Sequence, residues 1–427
     1  MIQNLNKRRI DQKTLLLHKK LKTKEKKVVE NAIYLTILQW FNYLIPLLIL
    51  PYLVRTIGTK MFGLVMFAQT VATIFTLITD FGFSITGTRA LSILKKNRTM
   101  KGELFFGVMS IKFALIILLL FFLFALTSTS DKFSQNKLIY YYSFGVTIGM
   151  TIFPSWFFHG IQNMKVITIV NAASRTLFAG LVFMFITKPE DFLLVPLFNS
   201  ASYIITGLFG LFYALKFLKI KVPSIVFIFN LVKESFKLFL SNLSTSLYSS
   251  FNILIIGLLT NDTLTGVYAS FEKIILALKN IYTPIYQAVF PWLSTQTNQK
   301  RIIKKMSRIV FLLGLFGVFV LITFSEEILI LMFNDEIILS YKILFQAIAP
   351  ILFLAGLSML YNYLYLSATK KYDLRLKILG YTGLIGILLS TILTFYFDIY
   401  GVVFSVVFCE IILLICGLKV FLNKTDE

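Results

Sequence analysis

From residue 113 to residue 126 the chain reads Phe-Ala-Leu-Ile-Ile-Leu-Leu-Leu-Phe-Phe-Leu-Phe-Ala-Leu, without one polar side chain. This run lies inside a predominantly apolar stretch of residues 105–127. The hydrocarbon core of a bilayer is about 30 Å thick, and a helix needs about 20 apolar residues to cross it. A helix of a soluble domain is shorter and keeps a polar face. The stretch therefore predicts a transmembrane helix.

The same pattern recurs about every 30 residues along the whole chain. It predicts twelve spans, at about 31–54, 62–87, 105–127, 138–158, 166–187, 193–214, 238–260, 265–290, 306–325, 343–366, 376–396 and 400–421. Apolar residues make up 57 % of the chain, charged residues 15 %, and the mean hydropathy is +0.80. These values predict an all-α polytopic membrane protein, whose function depends on groups inside the bilayer.

Lysine and arginine are distributed very unevenly over the predicted connections between the spans. With a cytoplasmic N-terminus, 32 of them fall on the cytoplasmic side, 6 on the opposite side and 4 within spans. Cytoplasmic loops carry such an excess in membrane proteins, so both termini are predicted to be cytoplasmic. The net charge of +22 is then explained by contact with anionic membrane lipids, and we expect no nucleic-acid partner.

The longest inward connection divides the twelve spans into six and six. The predicted organisation is a basic cytoplasmic tail forming an interfacial amphipathic helix, a first six-helix bundle, a cytoplasmic linker and a second bundle with a short tail, at 1–30, 31–214, 215–237 and 238–427. Two halves that begin on the same side are parallel repeats around a central cavity. Gly63-Leu-Val-Met-Phe-Ala and Gly266-Val-Tyr-Ala-Ser-Phe echo each other, but the echo is too weak to establish the repeat by itself.

Several classes of function are disfavoured by what the sequence lacks. The connections are too short to form a soluble catalytic domain, and no glycine-rich phosphate loop is found. Cys409 and Cys416 lie seven residues apart on one predicted helix, too far for a disulfide. We therefore predict no catalytic residues, no metal site and no cofactor.

Ionisable residues inside the spans carry the functional prediction, because each costs at least about 2.5 kcal/mol at the bilayer centre. Such residues usually face a cavity or pair with one another. They are Asp80, Lys112, Arg175, Glu272, Lys273, Lys279 and Glu410, with Arg55 and Arg89 near span ends.

Arg175 lies about ten residues inside the fifth span, too deep to reach either surface. A guanidinium in a polar cavity can bind phosphate through paired hydrogen bonds. The alternative is a buried ion pair, for example with Asp80. Asp80 itself could act in the cavity or pair with Arg89 or Lys95 at its helix end.

The second half of the chain offers a comparable choice. Glu272 and Lys273 are adjacent and point about 100° apart on a helix, so one can face the cavity while the other pairs elsewhere. Lys279 lies roughly on the face of Glu272. Glu410 is either a protonatable coupling site or a partner of a second-half lysine.

Two further residues of the first half have open interpretations. Lys112 is close enough to the inner end of its span to snorkel to the surface. Trp156 lies in Pro154-Ser-Trp-Phe-Phe-His-Gly160, which could form a kink with an interfacial aromatic belt or let the indole stack on a sugar ring.

Five segments in this order resemble the bacterial flippases of O-antigen and capsule repeat units, members of the superfamily that includes multidrug and toxin extrusion transporters. They are Leu50-Pro-Tyr-Leu-Val-Arg-Thr-Ile-Gly58 with Phe62-Gly63, Asp80-Phe-Gly-Phe83 with Thr88-Arg89, Pro154–Gly160, Ser246-Leu-Tyr-Ser-Ser-Phe-Asn252 with Gly257, and Gly266–Lys273 with Pro284 and Pro291. The resemblance covers nearly the whole chain after residue 30. His159, where the family pattern has Gln, and the basic tail depart from it.

The resemblance implies a carrier that turns undecaprenyl-pyrophosphate-linked oligosaccharide from the inner to the outer leaflet of the bacterial cytoplasmic membrane by alternating access. Arg175, Lys273, Lys112 and Lys279 are then candidates for holding the pyrophosphate. Asp80, Glu272, Glu410 and Arg89 are candidates for gating, or for coupling to a proton gradient, a sodium gradient or the membrane potential. Trp156 is the candidate for sugar stacking.

Under this resemblance, a polysaccharide polymerase and chain-length machinery could be protein partners. The competing interpretation is an ion-coupled multidrug or small-molecule antiporter of the same architecture. A membrane-bound glycan polymerase or ligase is disfavoured, since such an enzyme needs a sizeable outward loop.

Overall fold

The computed structural model describes residues 2–94 and 97–423, and for residues 2–32, 35, 36, 40, 237 and 241–250 it describes the backbone alone. The described residues form helices joined by turns and contain no β-strand, which confirms the all-α fold. The backbone is helical from Ile2, so the predicted tail helix continues into the first span. The side chains of the tail, and Lys95, lie outside the described residues.

The first half of the chain builds one bundle. Its helices are α1 (Ile2–Asp80), α2 (Thr86–Ile93), α3 (Arg98–Thr129), α4 (Asp131–Ser134), α5 (Lys137–Ile152), α6 (Ser155–Gly160), α7 (Met164–Phe185) and α8 (Leu194–Leu215), with a 3₁₀ turn at Pro189–Leu193.

The second half builds the other bundle. Its helices are α9 (Ile225–Leu259), α10 (Asp262–Lys279), α11 (Tyr282–Leu293), α12 (Gln299–Thr323), α13 (Ser325–Met332), α14 (Glu336–Ser340), α15 (Lys342–Ile348), α16 (Ile351–Met359), α17 (Leu366–Ala368) and α18 (Tyr372–Leu422), with a π-helical turn at Leu360–Tyr365.

Two long helices each contain a non-helical break that divides them into two of the predicted spans. In α1 the break is at Gly58 (φ 77°, ψ 158°), a backbone conformation that glycine adopts without steric cost. In α18 the break is at Asp398 (φ 50°, ψ −135°). By length and composition, seven helical stretches of the described residues can cross a membrane, and these breaks divide two of them. The breaks make nine segments of these seven, and α5, α9 and α10 with α11 lie at the other three predicted spans, so the arrangement is that of twelve spans.

Some predicted spans are interrupted in the structure. The span predicted at 265–290 consists of α10 and α11, which are separated at Asn280 and Ile281. The span predicted at 138–158 ends as α5, and Pro154 then begins the short helix α6. Interrupted helices are tolerated inside a membrane where the freed backbone groups line a cavity or are buried in protein.

The two bundles meet along α1 and α10. In the first bundle, the part of α1 after Gly58 packs with α5, the part before Gly58 packs with α7, and α8 covers α5 and α7. In the second bundle, α18 packs on α9 and α16, and α12 packs on α16. Residues on α1 and α10 therefore face both the partner bundle and the space enclosed between the two.

Candidate functional site

A cavity of about 250 Å³ lies between the two bundles. Its walls come from both parts of α1, from α7 and α8, and from α10 with the residue that follows it. The polar and charged residues that line it are Asn42, Tyr43, Gln69, Arg175, Asn199, Lys273 and Asn280. None of the residues described around this cavity is an aspartate or a glutamate, so the site carries net positive charge.

Arg175 and Lys273 bring one cation from each bundle into this cavity. Arg175 lies in the middle of α7 and Lys273 in α10. The predicted alternative of an Arg175–Asp80 pair is not formed, because Asp80 binds a different cation. Of the two adjacent residues on α10, Lys273 is the one that lines the cavity, and the Glu272 carboxylate accepts a hydrogen bond from Tyr268 at 3.4 Å.

Two polar groups of the cavity wall have unused hydrogen-bonding capacity. The Nε–H of Arg175 and the amide oxygen of Asn199 are buried and have no hydrogen-bond partner among the described residues. The guanidinium of Arg175 lies over the ring of Tyr203, 5.6 Å from its centroid, which orients the group without using its donors. A buried donor and a buried acceptor that stay unpaired each cost free energy. The site therefore favours a ligand that offers an acceptor to Arg175 and a donor to Asn199.

Lys112 occupies a different place from the cavity cations. Its ammonium is 3.5 Å from the Asp80 carboxylate, and its side chain is only 5 % exposed. The predicted snorkelling of Lys112 is therefore wrong, since the ammonium is buried beside a carboxylate. The alternative pairing of Asp80 with Arg89 is also not formed: Arg89 is exposed on α2 and forms no salt bridge with the part of the chain that the structure describes.

Lys279 and Glu410 form a second intramembrane ion pair, inside the second bundle. Their charged atoms are 2.6 Å apart, and the other carboxylate oxygen of Glu410 accepts a hydrogen bond from Ser358 at 3.0 Å. The Glu410 side chain is 2 % exposed. Of the two predicted alternatives for Glu410, the structure has the pair with a second-half lysine. Lys279 is thus paired with Glu410 and is not among the residues that line the cavity.

Trp156 lies in the core of the first bundle and is 0 % exposed. It packs near Phe105 and Phe157, and its indole passes so close to Gly87 that a Cβ there would be 2.8 Å from the ring. The two predicted roles, contact with the membrane interface and stacking on a sugar ring, both need an accessible face of the indole. In this conformation neither a sugar nor the membrane interface can reach the indole, so Trp156 acts as a packing residue here.

The amide side chains of the cavity were not predicted from the sequence, where the ionisable and aromatic residues within the spans carried the prediction. Asn42, Gln69, Asn199 and Asn280 line the cavity with Arg175 and Lys273. Polar amides inside apolar spans are themselves a signal of a polar cavity, because an unpaired amide in hydrocarbon is unfavourable. Asn280 in addition follows the last residue of α10, where the span is interrupted.

The two bundles are joined by different contacts at the two ends of the cavity. At the Gly58 end, the Arg55 guanidinium donates to the carbonyl oxygen of Leu331, across the two bundles. Also at this end, burial lowers the pKa of Lys132. The negative charge of the nearby Asp262 carboxylate raises this pKa and so offsets part of the shift. At the other end, the Gln39 amide donates to the side-chain oxygen of Gln287 at 3.0 Å.

Two six-helix bundles around a central cavity place the chain in a fold class whose solved members include a lipid flippase and multidrug transporters. The structure superimposes on "Lipid II flippase MurJ, inward closed conformation" with a TM-score of 0.74, covering 91 % of this chain and 87 % of that one at 12 % identity. An inward-facing multidrug resistance MATE family transporter of the MOP superfamily gives a TM-score of 0.60, covering 89 % of this chain and 99 % of that one at 14 % identity.

Within this class, the chain belongs to the family described as "Polysaccharide biosynthesis protein", whose family model matches residues 28–297. A relative from Escherichia coli (strain K12), named "Putative O-antigen transporter", is 28 % identical over 391 residues, which cover 89 % of this chain and 93 % of the relative. The resemblance stated from the sequence is thereby confirmed. The protein is an integral membrane protein of a polysaccharide transporter family.

Proposed function

We propose that the protein flips undecaprenyl-pyrophosphate-linked oligosaccharide repeat units from the inner to the outer leaflet of the bacterial cytoplasmic membrane, for O-antigen, capsule or exopolysaccharide assembly. The observation that carries the proposal is the pair of cations, Arg175 and Lys273, in a cavity whose described lining has no carboxylate. The family and the named relative support the polysaccharide part of the substrate. Both termini are proposed to be cytoplasmic.

The chemistry of the cavity suits the head group of such a lipid. The buried Nε–H of Arg175 has no partner among the described residues, and a phosphate oxygen would satisfy it. A guanidinium binds a phosphate through two parallel hydrogen bonds, and an ammonium such as that of Lys273 adds a point charge. The surrounding amides can exchange hydrogen bonds with sugar hydroxyls, which would otherwise be left unpaired in hydrocarbon at a cost of several kcal/mol each.

The size of the cavity supports alternating access. At about 250 Å³ it is smaller than the roughly 300–1,000 Å³ of typical small-molecule sites, so an oligosaccharide cannot occupy it in this conformation. The bundles must separate at one end to admit the head group and at the other to release it, while the lipid tail stays in the bilayer between them. The Arg55–Leu331 and Gln39–Gln287 contacts are proposed to break in these two steps.

The membrane potential favours this direction of transport. A pyrophosphate diester carries about two negative charges, and moving each outward across an inside-negative membrane gains roughly 2.3 kcal/mol per 100 mV. Proton or sodium coupling through Asp80, Glu272 or Glu410 remains part of the proposal. Asp80 and Glu410 each pair with a lysine, so protonation of either carboxylate would release its partner ammonium.

The proposal is tested by replacing the chromosomal gene with variants of Arg175 and measuring lipid-linked oligosaccharide in each leaflet. With Arg175→Ala, the lipid should accumulate where added glycosidase or lectin cannot reach it, while the protein still inserts. Arg175→Lys should lose most activity, because one ammonium cannot reproduce the guanidinium fork. Lys137→Gln, an exposed cation on α5, is the matched control and should transport normally. Normal transport by Arg175→Ala would refute the proposal.

The competing function is an ion-coupled multidrug antiporter, which the MATE neighbour in fold makes worth testing. A carrier of cationic compounds is expected to have excess acidic charge in its cavity, and the described lining has excess positive charge instead. Resistance to cationic compounds on overexpression, without any glycan defect on deletion, would favour the antiporter.

A further inference from the structure

Asn199 is the most deeply buried of the amide side chains that line the central cavity. Its side chain is 8 % exposed, and it projects from α8 into the wall that Arg175 helps to form. Its amide oxygen has no hydrogen-bond partner among the described residues. A buried acceptor in this state is satisfied when a ligand brings a donor to it.

The pyrophosphate cannot be that donor. A pyrophosphate diester is ionised at neutral pH and presents only acceptor oxygens, which match the donors of Arg175 and Lys273. The part of the lipid next to the phosphates that carries donors is the first sugar, with its hydroxyl or acetamido groups. An acceptor in the same small cavity as the two cations is therefore placed to contact that sugar.

Asn199 is accompanied by other amides in this cavity. Asn42 and Gln69 come from the two parts of α1, and Asn280 comes from the other bundle. A primary amide offers both a donor and an acceptor, as a sugar hydroxyl does. The cavity thus combines cations that suit a phosphate with amides that suit a neutral polar group.

We propose that Asn199 is a specificity-determining residue that accepts a hydrogen bond from the sugar directly attached to the pyrophosphate. This inference rests on the proposed function and deepens it, since it assigns discrimination among lipid-linked substrates to a group separate from the cations. A site built to pair with a substrate hydroxyl or N–H rejects an analogue that lacks this group.

The test compares two ligands with purified protein in nanodiscs: undecaprenyl pyrophosphate alone, and undecaprenyl pyrophosphate bearing one hexose or one 2-acetamidohexose. Native mass spectrometry gives the Kd for each. Asn199→Leu should weaken binding of a sugar-bearing lipid about tenfold, the worth of one hydrogen bond of this kind, and should change binding of the bare pyrophosphate less than twofold. Arg175→Gln should weaken both ligands, because both carry the pyrophosphate.

Asn171→Leu is the matched control. Asn171 lies on α7 and donates to the carbonyl oxygen of Ile167 in its own helix, and it does not line the central cavity. It should leave both affinities unchanged. If Asn199→Leu does not fold, Asn199→Ala replaces it and is judged by the same comparison.

The proposal is overturned if the Asn199 variant binds the sugar-bearing lipids as wild type does, or weakens both ligands equally. Equal weakening would show that Asn199 positions the pyrophosphate site and does not read the sugar. If the wild-type protein binds neither ligand, the proposed function itself fails, and the inference fails with it. Undecaprenyl pyrophosphate alone thus separates the two failures. The proposed function requires that the wild-type protein binds it, and the Asn199 proposal requires that the Asn199 variant binds it nearly as well.

Discussion

Gly63 on α1 and Gly266 on α10 face each other across the two bundles. Each glycine lies against a backbone carbonyl of the opposite helix, which belongs to the residue four positions before the other glycine. A Cβ on Gly63 would lie 1.8 Å from the carbonyl oxygen of Asp262, and a Cβ on Gly266 would lie 2.0 Å from that of Thr59. Only residues without a side chain allow two helices to approach this closely.

The contact is reciprocal, because the same offset along the chain separates Thr59 from Asp262 and Gly63 from Gly266. Reciprocity of this kind is the mark of a two-fold relationship between the contacting surfaces. The short sequence echo that begins at these two glycines therefore marks equivalent positions in a parallel pseudo-repeat. This close approach brings the two bundles together at the Gly58 end of the cavity.

We predict that Gly266→Ala weakens this close approach. The added methyl group must move about 1 Å or more away from the Thr59 carbonyl, so α1 and α10 are forced apart at this end. Thr59 is 2 % exposed. A cysteine placed there, in a chain whose two native cysteines are replaced, should react several-fold faster with a membrane-impermeant maleimide when Gly266→Ala is present. Transport should fall.

Gly180→Ala is the control for this experiment, because a Cβ at Gly180 would meet nothing within 4 Å. It should change neither labelling nor transport. Equal labelling of the Thr59 cysteine in the two glycine variants would show that the close helix approach does not close this end.

We predict that the Lys279–Glu410 pair stabilises the second bundle only as a pair. Removing one partner, in Lys279→Met or Glu410→Gln, leaves the other charge or its hydrogen bonds unsatisfied and should cost about 3 kcal/mol. The double variant Lys279→Met with Glu410→Leu should recover most of the loss. Thermal unfolding in detergent, followed by intrinsic fluorescence, measures each Tm.

The exposed pair Lys342–Glu326, at 2.8 Å, is the comparison for that series. Both of its side chains are more than one third exposed, so its removal should change the Tm little. A double Lys279/Glu410 variant as unstable as either single variant would contradict the pairing.

We predict that removing Lys112 lowers the stability of the protein, whereas removing Lys273 weakens its binding of substrate. Lys112→Met breaks the buried pair with Asp80, so it should lower the Tm and leave the affinity of folded protein for undecaprenyl pyrophosphate within twofold. Lys273→Met removes a cavity cation, so it should weaken that affinity. If Lys112→Met weakened binding as strongly as Lys273→Met, this assignment of Lys112 to the ion pair alone would be wrong. Lys112 would then be a substrate-binding residue, as the sequence predicted.

We predict that Trp156 contributes to stability through packing. Trp156→Ala should lower the free energy of unfolding by about 3–5 kcal/mol, because the ring is wholly buried. Trp156→Phe should keep transport, since it retains an aromatic ring in the same core. Unfolding and flipping assays on the same preparations separate the two effects, and loss of flipping by Trp156→Phe at an unchanged Tm would instead indicate contact with the sugar.

The membrane character, the number of spans and the identity of the intramembrane charges were determined by the sequence alone. The physical reason is that these properties are local: about 20 apolar residues suffice to cross the bilayer, and a charge inside such a stretch is visible in one segment. The same reasoning placed Arg175 deep in the membrane. It could not show that Gly58 and Asp398 join consecutive spans by single-residue breaks, or that Asn280 follows an interrupted helix.

The roles of the charges were decided only by the tertiary structure. Lys112 and Lys279 looked equivalent to Lys273 in the sequence, yet the first two are neutralised by Asp80 and Glu410, and Lys273 remains in the cavity. Glu410 lies 131 residues from Lys279 along the chain, and their approach depends on how α10 and α18 pack. Pairing energy depends on distances of a few ångströms between such remote helices, and no local pattern in the sequence encodes those distances.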